Sequence, residues 1–198
     1  MSEKAQVILD AAEPMFAEGR YHEVTLDRIC EEAGVGKGTI YRYFENKEDL
    51  YHQIILRGLD EMVEWIEQVE EECEDPGEGL REAARRLTEF YTEHRSLISL
   101  MWSEQFRGSK YKKQVWKKSR RKSDKVVKVL AGFVRRGVQE GRYRLGAFSP
   151  AAAARLLMGM LRTGRRHQEQ MPGGTQWAQD VVKLFERGLT GDEGKQQG

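Results

Sequence analysis

Apolar residues recur at steps of three and four along almost the whole chain, and the strict alternation of a half-buried strand is absent. The pattern predicts an all-α protein of about nine helices. Breaks fall where glycine, proline and short polar residues cluster: Gly19, Gly34–Gly36, Glu45–Asn46, Asp75–Gly79, Gly108, Gly141–Pro150 and Pro172–Gly174. Between them the periodic stretches run over about 3–17, 26–33, 37–44, 47–72, 79–94, 96–106, 110–140, 150–169 and 175–189.

The first 46 residues hold three short helices. Ile8, Ala12 and Phe16 share one face of the first, which Pro14 is expected to kink because its ring and missing N–H disturb a straight helix. Thr25 is placed to cap the second helix, and Gly34 supplies a turn that a side chain resists. Two short helices joined by a glycine turn are the sequence form of a helix-turn-helix. On a wheel of the third helix, Ile40 and Phe44 coincide and must face a core. Gly38, Thr39 and Arg42 project from the opposite side, flanked by Tyr41 and Tyr43. A small, hydroxyl-bearing, cationic face suits the major groove, where Arg pairs with guanine and Thr meets a base edge or a thymine methyl. Tyrosine hydroxyls and lysine ammoniums suit phosphate oxygens.

Asn46 can cap a long fourth helix whose apolar positions Ile55, Leu59, Met62, Ile66 and Val69 form a narrow seam, the form of a helix joining two bodies. Residues 1–46 are therefore expected to form a DNA-binding domain, residues 47–190 a larger helical domain, and residues 191–198 a flexible tail. Large adaptable side chains crowd the second domain. Trp65, Phe90, Met101, Trp102, Phe106, Phe133 and Met158, around the single acid Glu104, describe either a core or a pocket for an apolar or aromatic molecule.

The stretch from Ile8 to Ile54 carries the turn Ala33-Gly34-Val35, the helix Gly38 to Phe44 and the helix start Asn46 to Leu50 at one fixed spacing. It closely resembles the N-terminal DNA-binding domain of the TetR family of transcriptional regulators, over about a quarter of the chain. The resemblance implies that the third helix reads DNA and that Thr25, Lys37, Gly38, Thr39, Tyr41, Arg42, Tyr43 and Lys47 lie at the interface. Tyr41 and Lys47 match phosphate contacts, and Thr39 and Arg42 match positions nearer the bases. It also implies a ligand cavity under the fourth helix and a two-fold homodimer through the helices near 150–169 and 175–189. Three departures stand out. Gly36 replaces the usual Ser or Thr cap, Cys30 replaces a small Ala, and Pro14 interrupts the first helix.

Composition refines this picture. A net charge of +1 conceals ten acids and no base over residues 60–78, and eleven bases with one acid over 107–128. The two blocks either neutralise each other across the fold or leave the basic one for an anionic group, such as the head of a fatty acyl thioester. Residues 1–54 hold six bases and eleven acids, so DNA binding must rest on local placement of Lys37, Arg42 and Lys47, with modest affinity in high salt. No apolar run is long enough to span a membrane. The early acids are unlike a secretory signal, and two distant cysteines, Cys30 and Cys73, fit a reducing cytoplasm. His22, His52, His94 and His167 are scattered and lack metal spacing. No nucleophile elbow, phosphate loop or dinucleotide fingerprint occurs, so neither an enzyme nor a cofactor is expected. The reading is a ligand-responsive repressor that binds a palindromic operator as a dimer. A helical interaction protein that keeps the motif without binding DNA is the rival.

Overall fold

The computed structural model describes residues 2–18, 21–94, 112–166 and 176–190. These form eight helices and no strand: α1 (Glu3–Glu18), α2 (Leu26–Glu32), α3 (Lys37–Tyr43), α4 (Lys47–Glu72), α5 (Pro76–Glu93), α6 (Lys112–Gln139), α7 (Pro150–Arg166) and α8 (Gln176–Thr190). The helix expected over 96–106 lies outside the described residues, as do His167 and the tail. α5 starts three residues earlier than its periodicity indicates. Asp75 accepts from the backbone N–H of Glu78 at 2.8 Å, and Pro76 occupies the first helical position, where its fixed φ suits the helix and no N–H is missed. The chain divides into two compact units, Met1–Glu61 with His94–Arg120 and Met62–Glu93 with Arg121–Gly198. None of the described helices is long and apolar enough to cross a membrane.

In the first unit α1, α2 and α3 pack on one another around Ile8, Leu9, Phe16, Ile29, Ile40, Leu50 and Ile54, all withdrawn from solvent. The rings of Phe16, Tyr21 and Tyr51 close a cluster with centroids 5.1–5.8 Å apart. α1 runs through Pro14 to Glu18. Pro14 is exposed, so water can satisfy the Asp10 carbonyl that loses its donor. The Arg57 guanidinium, on α4, binds Asp10 and Glu13 of α1. His94 faces Glu13 at 3.3 Å and Glu61 at 3.5 Å. Hydrogen bonding from His94, then from Arg57, holds the Glu13 carboxyl below its ordinary range despite its burial.

In the second unit α5 packs against both α7 and α8, which pack against each other. Gly79 admits the ring of Phe133, since a Cβ there would stand 2.0 Å from a ring carbon. Arg136 lies over the other side of that ring and donates to the Cys73 carbonyl at 3.3 Å. The acidic end of α4 and the basic α6 meet in one printed pair, Lys125 with Glu67 at 3.6 Å, both exposed. Neutralisation between the two blocks is therefore partial.

Candidate nucleic-acid interface

Thr25 caps α2 in extended conformation, its hydroxyl accepting from the Arg28 N–H at 3.3 Å. At the other end Gly34 takes φ +63°. The N–H of Val35 then reaches the Cys30 carbonyl at 2.9 Å and that of Gly34 the Glu31 carbonyl at 3.2 Å, which closes α2 in a Schellman turn. This closure aims the chain into α3. Gly36 precedes α3 without any side-chain cap, as its identity dictates, and only the Thr39 N–H returns to its carbonyl, at 2.8 Å.

α3 divides its surface as the wheel requires. Ile40 and Phe44 are buried, Tyr41 is 58 % exposed, and a Cβ added at Gly36 or Gly38 would touch nothing. Arg42 is exposed and Thr39 half-buried. The Arg42 guanidinium sits 5.0 Å from the Tyr43 ring centroid and donates to its hydroxyl at 3.3 Å. A hydrogen bond from Ser2, and then the charge of Arg42, lower the acidity range of the Tyr43 phenol. These contacts fix a guanidinium, a phenol and an open backbone on one side of a short helix.

The cations near α3 are less available than the sequence implies. Lys37 pairs with Asp27 at 2.7 Å, both in solvent, and that carboxylate raises the ammonium's pKa. Lys47 lies over the Tyr21 ring at 4.5 Å and donates to the carbonyls of Tyr21 at 2.9 Å and Val24 at 2.8 Å. Burial pushes its pKa down. An ammonium has three donors, so Lys47 keeps one for a phosphate while two fasten α4 to the segment before Thr25. Neither Asp27 nor the two carbonyls figured in the sequence reading. The carbonyl contacts span 26 and 23 residues, beyond any local pattern. The exposed Arg28 adds a cation on α2 that spacing alone did not single out.

The expected ligand residues are divided. Met101, Trp102, Glu104 and Phe106 lie outside the described residues. Trp65 and Phe90 meet edge to face with centroids 6.3 Å apart. Phe133 is fully buried on Gly79, and Met158 is half-buried on α7. A further apolar cavity of about 460 Å³ opens between α7, α8 and the loop before them, lined in part by Phe148, Leu156, Met160, Leu184 and Phe185. Leu184 is 64 % and Leu156 51 % exposed, whereas Trp177, Val182 and Phe185 are buried.

Residues 8–54 match the family model for bacterial regulatory proteins of the tetR family. The fatty acid metabolism regulator protein of Bacillus subtilis (strain 168) is 30 % identical over 147 residues, 72 % of each chain. An HTH-type transcriptional regulator of Staphylococcus aureus (strain MRSA252) is 30 % identical over 96 residues, 48 % of this chain, and the chain spans about half of that relative's length, 52 %. The crystal structure of the transcriptional regulator FadR from Bacillus subtilis in complex with stearoyl-CoA shares the fold, with a TM-score of 0.73 and 24 % identity over 93 % of this chain and 98 % of that one. The helix-turn-helix of α2 and α3, and a likeness that extends through most of a relative, agree: the chain belongs to the TetR family of bacterial regulatory proteins.

Proposed function

We propose that the protein is a transcriptional repressor that binds a palindromic operator as a homodimer and is released by a lipophilic effector, a long-chain acyl thioester before other classes. The outward face of α3 carries this reading: Tyr41 and Arg42 stand in solvent beside an unobstructed backbone at Gly38. Arg42 and Thr39 serve base edges, while Tyr41, Tyr43, Lys37, Thr25 and the remaining Lys47 donor serve phosphates. Residues 1–46 provide the DNA contacts, and residues 47–190 hold the effector and the partner copy. The apolar face of Leu156, Leu184 and Phe148 supports pairing with a second copy, since exposed apolar area of this kind favours association. The effector class rests on the fatty acid regulator among the relatives and on the stearoyl-CoA held by a structural neighbour.

Selection of bound fragments from random duplex DNA by the purified protein tests the reading. The expected result is an inverted repeat with half-sites about one helical turn apart (roughly 34 Å), whose complex dissociates on adding stearoyl-CoA. Failure of the wild type to enrich any sequence would overturn the assignment. An effector that binds free and DNA-bound protein equally cannot be the inducer, because it has no differential affinity to spend.

A further inference from the structure

We infer that the first turns of α6 bind the nucleotide end of a coenzyme A thioester, with Trp116 as a stacking platform and Lys113, Lys117 and Arg120 as phosphate ligands. The inference rests on the acyl-thioester reading above and names the part of the molecule that holds the head group.

Four positions make the surface. Lys113, Trp116, Lys117 and Arg120 stand at i, i+3, i+4 and i+7, one side of a helix. All four are exposed, Trp116 to 43 %, and an indole of that size in solvent needs an explanation. Residues 112–123 contain seven cations and no acid. Cations elsewhere are neutralised: Arg57 by Asp10 and Glu13, Arg85 and Arg86 by Glu82, Arg81 by Glu186, Arg142 by Asp75. Lys113, Lys117 and Arg120 have no ion pair among the described residues. Asp124, the acid next along this face, is taken by Arg155 at 3.3 Å. Like charges at i, i+4 and i+7 destabilise a helix, so the arrangement is one that an anion relieves.

The chemistry favours a nucleotide over a bare anion or a duplex. Coenzyme A ends in a purine, a pyrophosphate and a 3′-phosphate. An aromatic face takes the purine, and cations one turn to either side of it take the phosphates. A duplex offers no unstacked base to an indole. A free fatty acid has one carboxylate and no ring, so it gains nothing from Trp116.

The experiment uses the full-length protein and two ligands that differ only in the head group, stearoyl-CoA and stearate. Calorimetry at two salt concentrations compares the wild type with Lys113→Gln, Lys117→Gln, Arg120→Gln combined, and with Trp116→Phe. The combined variant should lose about tenfold or more in stearoyl-CoA affinity, the sum of several exposed ion pairs, together with most of its salt dependence. Its affinity for stearate and for operator DNA should not change, which also shows that it is folded. Stearoyl-CoA should quench indole fluorescence in the wild type by a component absent from Trp116→Phe. Equal stearoyl-CoA affinity in wild type and combined variant overturns this inference alone and leaves the effector reading standing. Loss of operator affinity with stearoyl-CoA binding intact also overturns it, because the surface then serves DNA. A wild type that binds no stearoyl-CoA removes both.

Discussion

Two faces of this molecule stand in solvent for opposite reasons. α3 exposes a phenol, a guanidinium and open backbone, and hides its two apolar side chains. The α7 and α8 face exposes Leu156, Leu184 and Phe148 around a cavity of about 460 Å³. Exposure alone distinguishes neither. The first face loses little by staying hydrated, so whatever displaces its water must replace its hydrogen bonds, as phosphates and base edges do. The second loses free energy in water whatever it meets, at roughly 25 cal/mol for each Å² left uncovered, and a like surface covers it best. The sequence shows both faces as helical periodicity, and only the chemistry of the outward positions separates their partners.

The largest test of this contrast charges the apolar face. Leu156→Asp with Leu184→Asp should turn a dimer into a monomer in sedimentation and lower operator affinity about a hundredfold or more, because the two half-sites are then bound separately. A dimer that survives both charges would place the partner elsewhere. Next comes the reading face. Arg42→Ala should weaken the cognate operator about ten- to a hundredfold and relax preference at one position per half-site, read by titration against single-base variants. Equal loss on every sequence would make Arg42 an anchor and not a reader.

Gly34→Ala should lower thermal stability by about 1–2 kcal/mol, since φ +63° strains any residue with a Cβ although the space around it is open. Operator affinity should fall with it if the Schellman closure aims α3. The smallest effect is expected at Asp27. Asp27→Asn should free Lys37 and remove an acid beside the DNA face, tightening operator binding about two- to fivefold at low salt and less at high salt. No gain at low salt would show that the pair does not compete with DNA.

Legibility in the sequence followed the range of the interaction. The buried pair Ile40 and Phe44, the Thr25 cap and the positive φ at Gly34 are set within four residues and could be read directly. The start of α5 was missed because a proline was taken as a break where Asp75 makes it a first helical residue. The second role of Lys47 was invisible, since the carbonyls it binds belong to a segment more than twenty residues away. Trp65, Phe90 and Phe133 show the limit from another side. Their periodicity marks them as inward, but core and pocket are both inward, and only packing such as that of Phe133 on Gly79 assigns one of them to the core.

That contact constrains how the chain can vary. Every replacement of Gly79 puts at least one carbon where the Phe133 ring already stands, 2.0–2.4 Å from three of its atoms. The ring cannot retreat, because Arg136 lies against its other side. The two positions are therefore locked to each other in descent. A lineage can accept a side chain at position 79 only together with, or after, a smaller one at position 133, and a library that varies one site at a time will record position 79 as forbidden when the prohibition belongs to the pair.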